Sequence, residues 1–218
     1  MAGARILWPG LPSYGRAFRA PSIGELFFPV TGNPDLQPEV NNSVELAVDY
    51  AADSWRVGIT GFENRLENLI DFDFVAFRNV NVGRAKTRGL ELEAGYRTRL
   101  LVLRWNATLL DTEDLETGLA LLRRPERTSS LVATVYPEPF TVNATLRYVG
   151  ERADVDPITF VRSVNDSYLR LDLAAEWRVT GRIAPYARIE NVADEEYAEA
   201  LGFPAPGRTF VGGLEVSF

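Results

Sequence analysis

Residues 167–177 read SYLRLDLAAEW, and their pattern sets the reading of the whole chain. Leu169, Leu171, Leu173, Ala175 and Trp177 fall on one side of an extended backbone, and Arg170, Asp172 and Glu176 on the other. Successive side chains of a strand point to opposite faces, so strict alternation predicts a strand with one apolar and one polar face. Residues 88–97, RGLELEAGYR, repeat the scheme: Leu90, Leu92, Ala94 and Tyr96 oppose Glu91, Glu93 and Arg97. So do Leu101, Leu103, Trp105, Ala107 and Leu109 against Arg104, Asn106 and Thr108. In 140–148, Phe140, Val142, Ala144, Leu146 and Tyr148 oppose Thr141, Asn143, Thr145 and Arg147. No segment shows a convincing helical period. The alternation predicts nine strands, at 42–51, 54–66, 80–98, 100–112, 127–137, 139–151, 166–179, 182–191 and 207–218, with 13–18 as the end of a tenth.

Many of these strands run past ten residues, whereas strands of soluble domains usually hold about 5–6. A tilted strand crossing a bilayer needs about 9–11. The connections alternate between short and long. Residues 51–54, 98–100, 137–139 and 180–182 are tight turns, while 19–41, 67–79, 113–126, 152–165 and 192–206 are long. Short turns at one rim and long loops at the other are the rhythm of a transmembrane barrel.

Composition narrows the classes further. The 218 residues carry 23 Lys and Arg against 30 Asp and Glu, a net charge of −7, which speaks against a nucleic-acid partner. There is no cysteine and no histidine. Disulfides and thiolate chemistry are excluded, and a Ser/His/Asp triad cannot be assembled. No run of about 18 apolar residues offers a membrane helix. The opening MAGARILWPGLP lacks the features of a secretory signal.

Alternation does not say which face is inside. A soluble sandwich or barrel would turn the Leu face inward; a membrane barrel would turn it to lipid. Full charges such as Glu91, Glu93, Arg170, Asp172 and Glu176 would be costly in a small dry core. They suit a wet lumen. Aromatics near strand ends (Trp55, Tyr96, Tyr136, Phe140, Tyr148, Trp177 and Phe218) suit interfacial girdles. The expectation is an all-β, antiparallel transmembrane barrel with apolar side chains facing hydrocarbon; a large soluble sandwich is the competing architecture.

Three blocks of sequence carry a family resemblance. SYGRAFRAPSIGELF (13–27) with GNPDLQPE (32–39), NVNVGRAKTRGLELEAGY (79–96), and NVADEEYAEALGFPAPGRTFVGGLEVSF (191–218) resemble the barrel of TonB-dependent outer-membrane receptors. In the last block Asn191, Asp194, Tyr197, Pro206, Gly207, Arg208 and Phe218 sit where the family's C-terminal signature has them. LIDFD (69–73), LLRRP (121–125) and YVGERADVD (148–156) are most similar to vitamin B12 (cobalamin) receptors. One departure is Pro157, where those receptors often have a Tyr.

The resemblance implies residues 13–218 as the C-terminal portion of a 22-stranded barrel, with 1–12 outside the match. It implies a fragment without the plug and coupling box. It also implies residence in the outer membrane, uptake of a large scarce ligand (cobalamin or a metal chelate), and coupling to TonB only through the N-terminal region that is not here. Gly213, Val216 and Phe218 would form the signal read by the barrel-assembly machinery, and Arg123 would contact ligand. The plainer expectation for Arg123 is an ion pair with Glu113, Asp114 or Glu116 within its own loop. Asp154 and Asp156 are weak candidates for a cation pair, a solvated loop being the plainer reading. No catalytic residue and no cofactor are assigned. A ferric-siderophore receptor, a non-energised structural or pore-forming barrel, and a soluble ligand-carrying barrel are the other readings.

Overall fold

The computed structural model describes residues 5–7, 10 and 12–217. Its main body is one antiparallel sheet of eleven strands. In chain order these are β1 (Arg5–Leu7), β2 (Ser13–Arg19), β3 (Glu39–Ala51), β4 (Trp55–Asp73), β5 (Arg78–Arg97), β6 (Leu101–Asp114), β7 (Arg127–Val135) and β8 (Phe140–Val149). Next come a small hairpin, β9 (Arg152–Val155) with β10 (Arg162–Asn165), then β11 (Tyr168–Trp177) and β12 (Ile183–Glu190). A second small hairpin, β13 (Ala198–Ala200) with β14 (Phe203–Pro204), precedes β15 (Thr209–Val216). A five-residue helix, α1 (Ile23–Phe27), follows β2.

From β3 to β8 each strand pairs with its sequence neighbour, and β11, β12 and β15 continue the meander. β1 and β2 share one edge of β3, pairing with opposite ends of it. Among the described residues β15 pairs only with β12, so the sheet is an open segment of a barrel wall.

The register lines the apolar side chains into lateral rows. Val57, Ala94, Trp105, Leu131, Leu146 and Leu171 are direct cross-strand partners from β4 through β11. The adjoining row on the other face reads Gly58, Glu93, Asn106, Ser130, Arg147 and Arg170. The apolar face is uncovered: Leu46, Leu90, Leu109 and Leu169 are each 43–51 % exposed. The few buried apolar residues, Leu36, Ala85, Val149, Val155 and Tyr168, belong to the long-loop end and its adjoining strand ends. The polar face is the one the last long loop folds against, through Arg170 and Asp172. Among the described residues the apolar face therefore has no protein partner, and lipid is the medium that suits it.

The two aromatic contacts at the short-turn rim lie on this apolar face. Trp55 packs on Tyr96 with centroids 4.5 Å apart, and Phe140 stacks on Trp177 at 5.9 Å. Toward the long-loop rim the same face turns charged. Glu63, Arg65, Lys86, Arg88 and Asp111 follow the last apolar row, joined by Lys86–Glu63, Arg65–Glu63 and Arg88–Asp111 ion pairs. The apolar stretch of β6, Leu101 to Leu109, thus has the length a tilted membrane strand requires.

The nine expected strands and the tenth are all present, with boundaries moved by a few residues. The loop expected at 67–79 is instead mostly strand: β4 and β5 stay paired as far as Asp73 and Arg78. Beyond the membrane band both faces of this hairpin meet water, so its sequence loses the period-two signal. The loops expected at 152–165 and 192–206 hold the two small hairpins. Helix α1 is too short to show a period. Its start is nevertheless encoded: Ser22 Oγ accepts from the Glu25 N–H and the Glu25 carboxylate accepts from the Ser22 N–H, a reciprocal cap.

The two faces make opposite demands on a new charge. Leu131→Arg should lose about 2–4 kcal/mol of stability in urea titrations of the vesicle-inserted protein. Asn106→Arg, one row over on the polar face beside Glu93, should stay within about 0.5 kcal/mol of the parent. Equal losses would mean that the apolar face is not the lipid face.

Candidate functional site at the long-loop rim

The long loops bury few of their apolar residues, so much of their order comes from polar side chains that are buried and hydrogen-bonded. Asp154 on β9 is fully buried. Its Oδ1 accepts from Arg123 Nε at 2.9 Å and from the Val155 N–H at 2.8 Å, and its Oδ2 accepts from the Leu201 N–H at 2.8 Å. One carboxylate thus ties the 113–126 loop and the 192–206 loop to the β9–β10 hairpin. Burial pushes this carboxyl up, but the donors from Leu201, Arg123 and Val155 outweigh it and hold it below the usual range. Arg162 adds a bond to the Ala120 carbonyl.

Arg152 makes a second tie. It is buried, and its Nη2 donates to the carbonyls of Ala198 at 2.6 Å and Glu199 at 3.0 Å. Tyr168 donates to Glu199 Oε1 at 2.7 Å and stacks on Tyr197 at 4.2 Å. Tyr197 Oη accepts from Arg170 Nη1, while Arg170 forks onto Asp172. Asp172 also accepts from the Asn191 N–H. Asn191, buried, brackets Glu195 through both its amide atoms, and Asp194 accepts from the Arg208 N–H. Much of the C-terminal block seen in the sequence is therefore the wiring of the last loop onto the polar face. Gly202 belongs to it for a different reason: its φ is +84°, and a Cβ there would stand 2.4 Å from Pro157 Cγ. Pro157 packs against that glycine.

The loop at 19–41 is fastened by amides. Asn33 donates to the Asn79 carbonyl, Asn79 donates to the carbonyls of Glu25 and Thr31, and Asn81 exchanges bonds with the Gln37 backbone. GNPDLQPE acts here as a loop that fixes position, and Leu36 is its buried apolar anchor.

The residues singled out in the sequence fall as follows. Arg123 reaches Asp154, not Glu113, Asp114 or Glu116 of its own loop; the partner lies 31 positions away. That pairing corrects the expected one, because Asp114 Oδ1 is turned to the backbone N–H groups of Glu116 and Thr117. Arg123 keeps a half-exposed side chain and lines a cleft of about 190 Å³ with Arg124, Leu69, Phe72 and Phe74. Asp156 sits two residues from Asp154 but caps a turn, accepting from the N–H groups of Ile158 and Thr159. Gly213 faces Tyr186, whose hydroxyl would stand 2.5 Å from a Cβ there, and Val216 is on the apolar face opposite Ile183. Phe218 lies outside the described residues. Sequence reading passed over Asp154 as a tie, Arg152, and the aromatic wall of the cleft. Only the Arg-Ala-Asp alternation of β9 hinted that both charges share a face.

A family model described as "TonB dependent receptor-like, beta-barrel" matches residues 12–192. The chain belongs to the TonB-dependent receptor β-barrel family. The barrels of this family lie in the outer membrane of Gram-negative bacteria, which is the lipid that the uncovered face meets. The vitamin B12 transporter BtuB of Vibrio vulnificus (strain YJ016) is 31% identical over 206 residues, covering 93% of this chain and 32% of that protein. BtuB of Vibrio cholerae serotype O1 is 33% identical over 202 residues, covering 91% and 33%. The TonB-dependent receptor segment thus spans about a third of the length of these relatives. Among solved structures, the copper transporter OprC superposes with a TM-score of 0.79 at 21% identity, over 95% of this chain and 36% of that one. A ferric enterobactin receptor (PfeA) variant from Pseudomonas aeruginosa gives 0.75 at 20%, over 99% and 39%. These two likenesses show the fold.

The depressed Asp154 carboxyl predicts a pH response at the long-loop rim. An ionised carboxylate with a depressed native value contributes fully above the ordinary carboxylate value of about 3.9. The contribution is lost as pH falls through the native value. Hydrogen exchange at Leu201 and Val155, corrected for intrinsic rates, should be flat from pH 7 to 5 and rise below about 4. Asp154→Ala leaves two amides without acceptors and should raise exchange there at every pH, by about 1–3 kcal/mol in opening free energy. Unchanged exchange in that variant would remove Asp154 as the tie.

Proposed function

We propose that this chain is the C-terminal barrel portion of a receptor that takes up a large, scarce ligand, cobalamin or a related metal chelate, across the outer membrane. The observation that carries the reading is the cleft at the long-loop rim, where Arg123 and Arg124 face the Phe72 and Phe74 wall. Guanidinium groups donate to phosphate or amide oxygens, and the aromatic rings supply an apolar surface beside them. The similarity to two cobalamin transporters at 31% and 33% identity supports cobalamin as the ligand. A ferric chelate is the second reading; the phenylalanine-rich wall favours it, because it suits flat aromatic arms.

Transport requires a wet interior, and the row of Glu93, Asn106, Ser130, Arg147 and Arg170 supplies a polar wall for one. No bond is made or broken, so no catalytic residue is assigned. Passage would be driven through TonB by parts of the receptor other than this barrel portion. Asp154 serves as a positioning residue: it takes Arg123 Nε and leaves the two terminal nitrogens for ligand. Gly213, Val216 and Phe218 would be read by the barrel-assembly machinery. In Gly213 the missing side chain makes room for Tyr186.

Equilibrium binding of cyanocobalamin and of a ferric catecholate to the purified receptor tests the proposal. One of the two should bind, and Arg123→Ala should weaken it about tenfold or more, the scale of a charge-assisted hydrogen bond. Binding of neither compound, or binding indifferent to Arg123→Ala, would refute the reading.

A further inference from the structure

We propose that the lipid-facing side of β4–β7, at the upper edge of its apolar band, is a docking site for one phosphate-bearing lipid of the outer leaflet. The phosphate sits on Arg127 and Arg88, and an acyl chain runs along Leu90 and Leu109. The inference stands on the barrel architecture and is independent of any uptake ligand.

The last apolar row before the charged belt contains a gap and a cation. Leu46, Gly61, Leu90, Leu109 and Arg127 are direct cross-strand partners from β3 through β7. Gly61 has no side chain where its neighbours have leucines, and a Cβ there would meet only Leu90 Cδ2, at 3.5 Å. One row above, Glu63, Arg88 and Asp111 stand side by side. These two rows line a groove of about 700 Å³. That volume lies within the range of about 300–1,000 Å³ that holds a small molecule. Below the groove the face stays apolar through Ile59, Leu92 and Ala107, so a chain leaving it continues over side chains that meet hydrocarbon. Depth agrees with this placement. The apolar stretch of β6 ends at Leu109, and the headgroup region begins where the hydrocarbon stops. The longer loops of such barrels are extracellular, which puts the groove at the outer leaflet. An arginine on the lipid face costs little at that depth and much more at the midplane.

Charge selects the headgroup. Glu63 is taken by Lys86 at 3.1 Å and by Arg65 at 2.9 Å. Asp111 Oδ2 takes Arg88 through Nε and Nη2, both at 2.8 Å, which leaves Arg88 Nη1 unengaged by that partner. The two side chains of this pair are 60% and 62% exposed, so the pair is weak and open to competition. Arg127 is exposed and, among the described residues, has no carboxylate within ion-pair distance. Glu126 lines the groove beside it, and Glu151 lines a further recess with Tyr148, but neither pairs with it. Arg88 and Arg127 stand on strands two apart, about 10 Å across the sheet, so two long side chains can close on one phosphate. Guanidinium groups bind phosphate oxygens in pairs, and cations at a membrane surface draw anionic lipid.

Native mass spectrometry of the protein in detergent, titrated with dioleoyl phosphatidic acid, dioleoyl phosphatidylcholine and inorganic phosphate, tests this. Phosphatidic acid should be retained about tenfold more tightly than phosphatidylcholine, since only its headgroup carries net negative charge, and inorganic phosphate should not be retained. Arg127→Gln should weaken phosphatidic acid about fivefold and leave phosphatidylcholine unchanged. Gly61→Leu, which fills the groove, should weaken phosphatidic acid about as much. Arg104→Gln removes the same charge from the polar face, opposite Gly95, and should change neither lipid. Heat-modifiable gel migration identifies the variants that keep the parent fold. Equal retention of the two lipids, or phosphatidic acid indifferent to Arg127→Gln in a folded variant, would overturn the site. So would an Arg104→Gln loss as large as that of Arg127→Gln, which would mean bulk charge. Tight retention of inorganic phosphate that ignores Gly61→Leu would also overturn it, leaving a site for a free anion.

Discussion

A backbone N–H or C=O left unpaired in hydrocarbon costs several kcal/mol, and everything in this chain follows from meeting that demand. The continuous antiparallel ladder from β3 to β15 meets it strand by strand. Because the ladder fixes register, each apolar side chain is placed beside another of its kind, and Trp105 lies between Ala94 and Leu131 with no latitude to slip. A shift of one residue would bring Glu93 or Arg104 to the lipid. The same constraint makes the polar face possible. Charges that would be intolerable in a packed core are stable when the sheet itself separates water from lipid.

The long-loop rim obeys a different rule. Its loops leave most of their apolar side chains exposed and so are not held by burial alone. The chain instead sinks a few charged side chains and saturates them. Asp154 with three donors and Arg152 with backbone carbonyls are the two examples, each spanning 30 to 50 residues of sequence. This kind of order is specific and brittle. An aspartate with both oxygens engaged by donors cannot be exchanged for a similar residue without stranding a partner. The cleft beside Arg123 inherits its shape from that network: the side chain that orients Arg123 is the one that brings the Phe160 hairpin across.

Strand positions were legible because one physical contrast, lipid against water, is written into every second residue between 42 and 216. It failed where the contrast fails. The upper part of the β4–β5 hairpin, water on both faces, looked like a loop, and the β9–β10 and β13–β14 hairpins carried no alternation long enough to see. Arg123 was visible as a residue of interest. Its partner was not, because a loop arginine has several acids within reach in sequence, and only the folded hairpin shows which one is buried beside it. Phe160 could not be grouped with Phe72 and Phe74 from sequence, because it lies on a different hairpin.

The sequence by itself determined the class of fold, the number and order of the principal strands, and the lipid-facing side, because these follow from local periodicity and from the cost of burying charge. The tertiary structure alone decided which loop residues meet. Those meetings depend on where curved strands deliver their ends, and on a handful of directed hydrogen bonds between segments that share no local pattern.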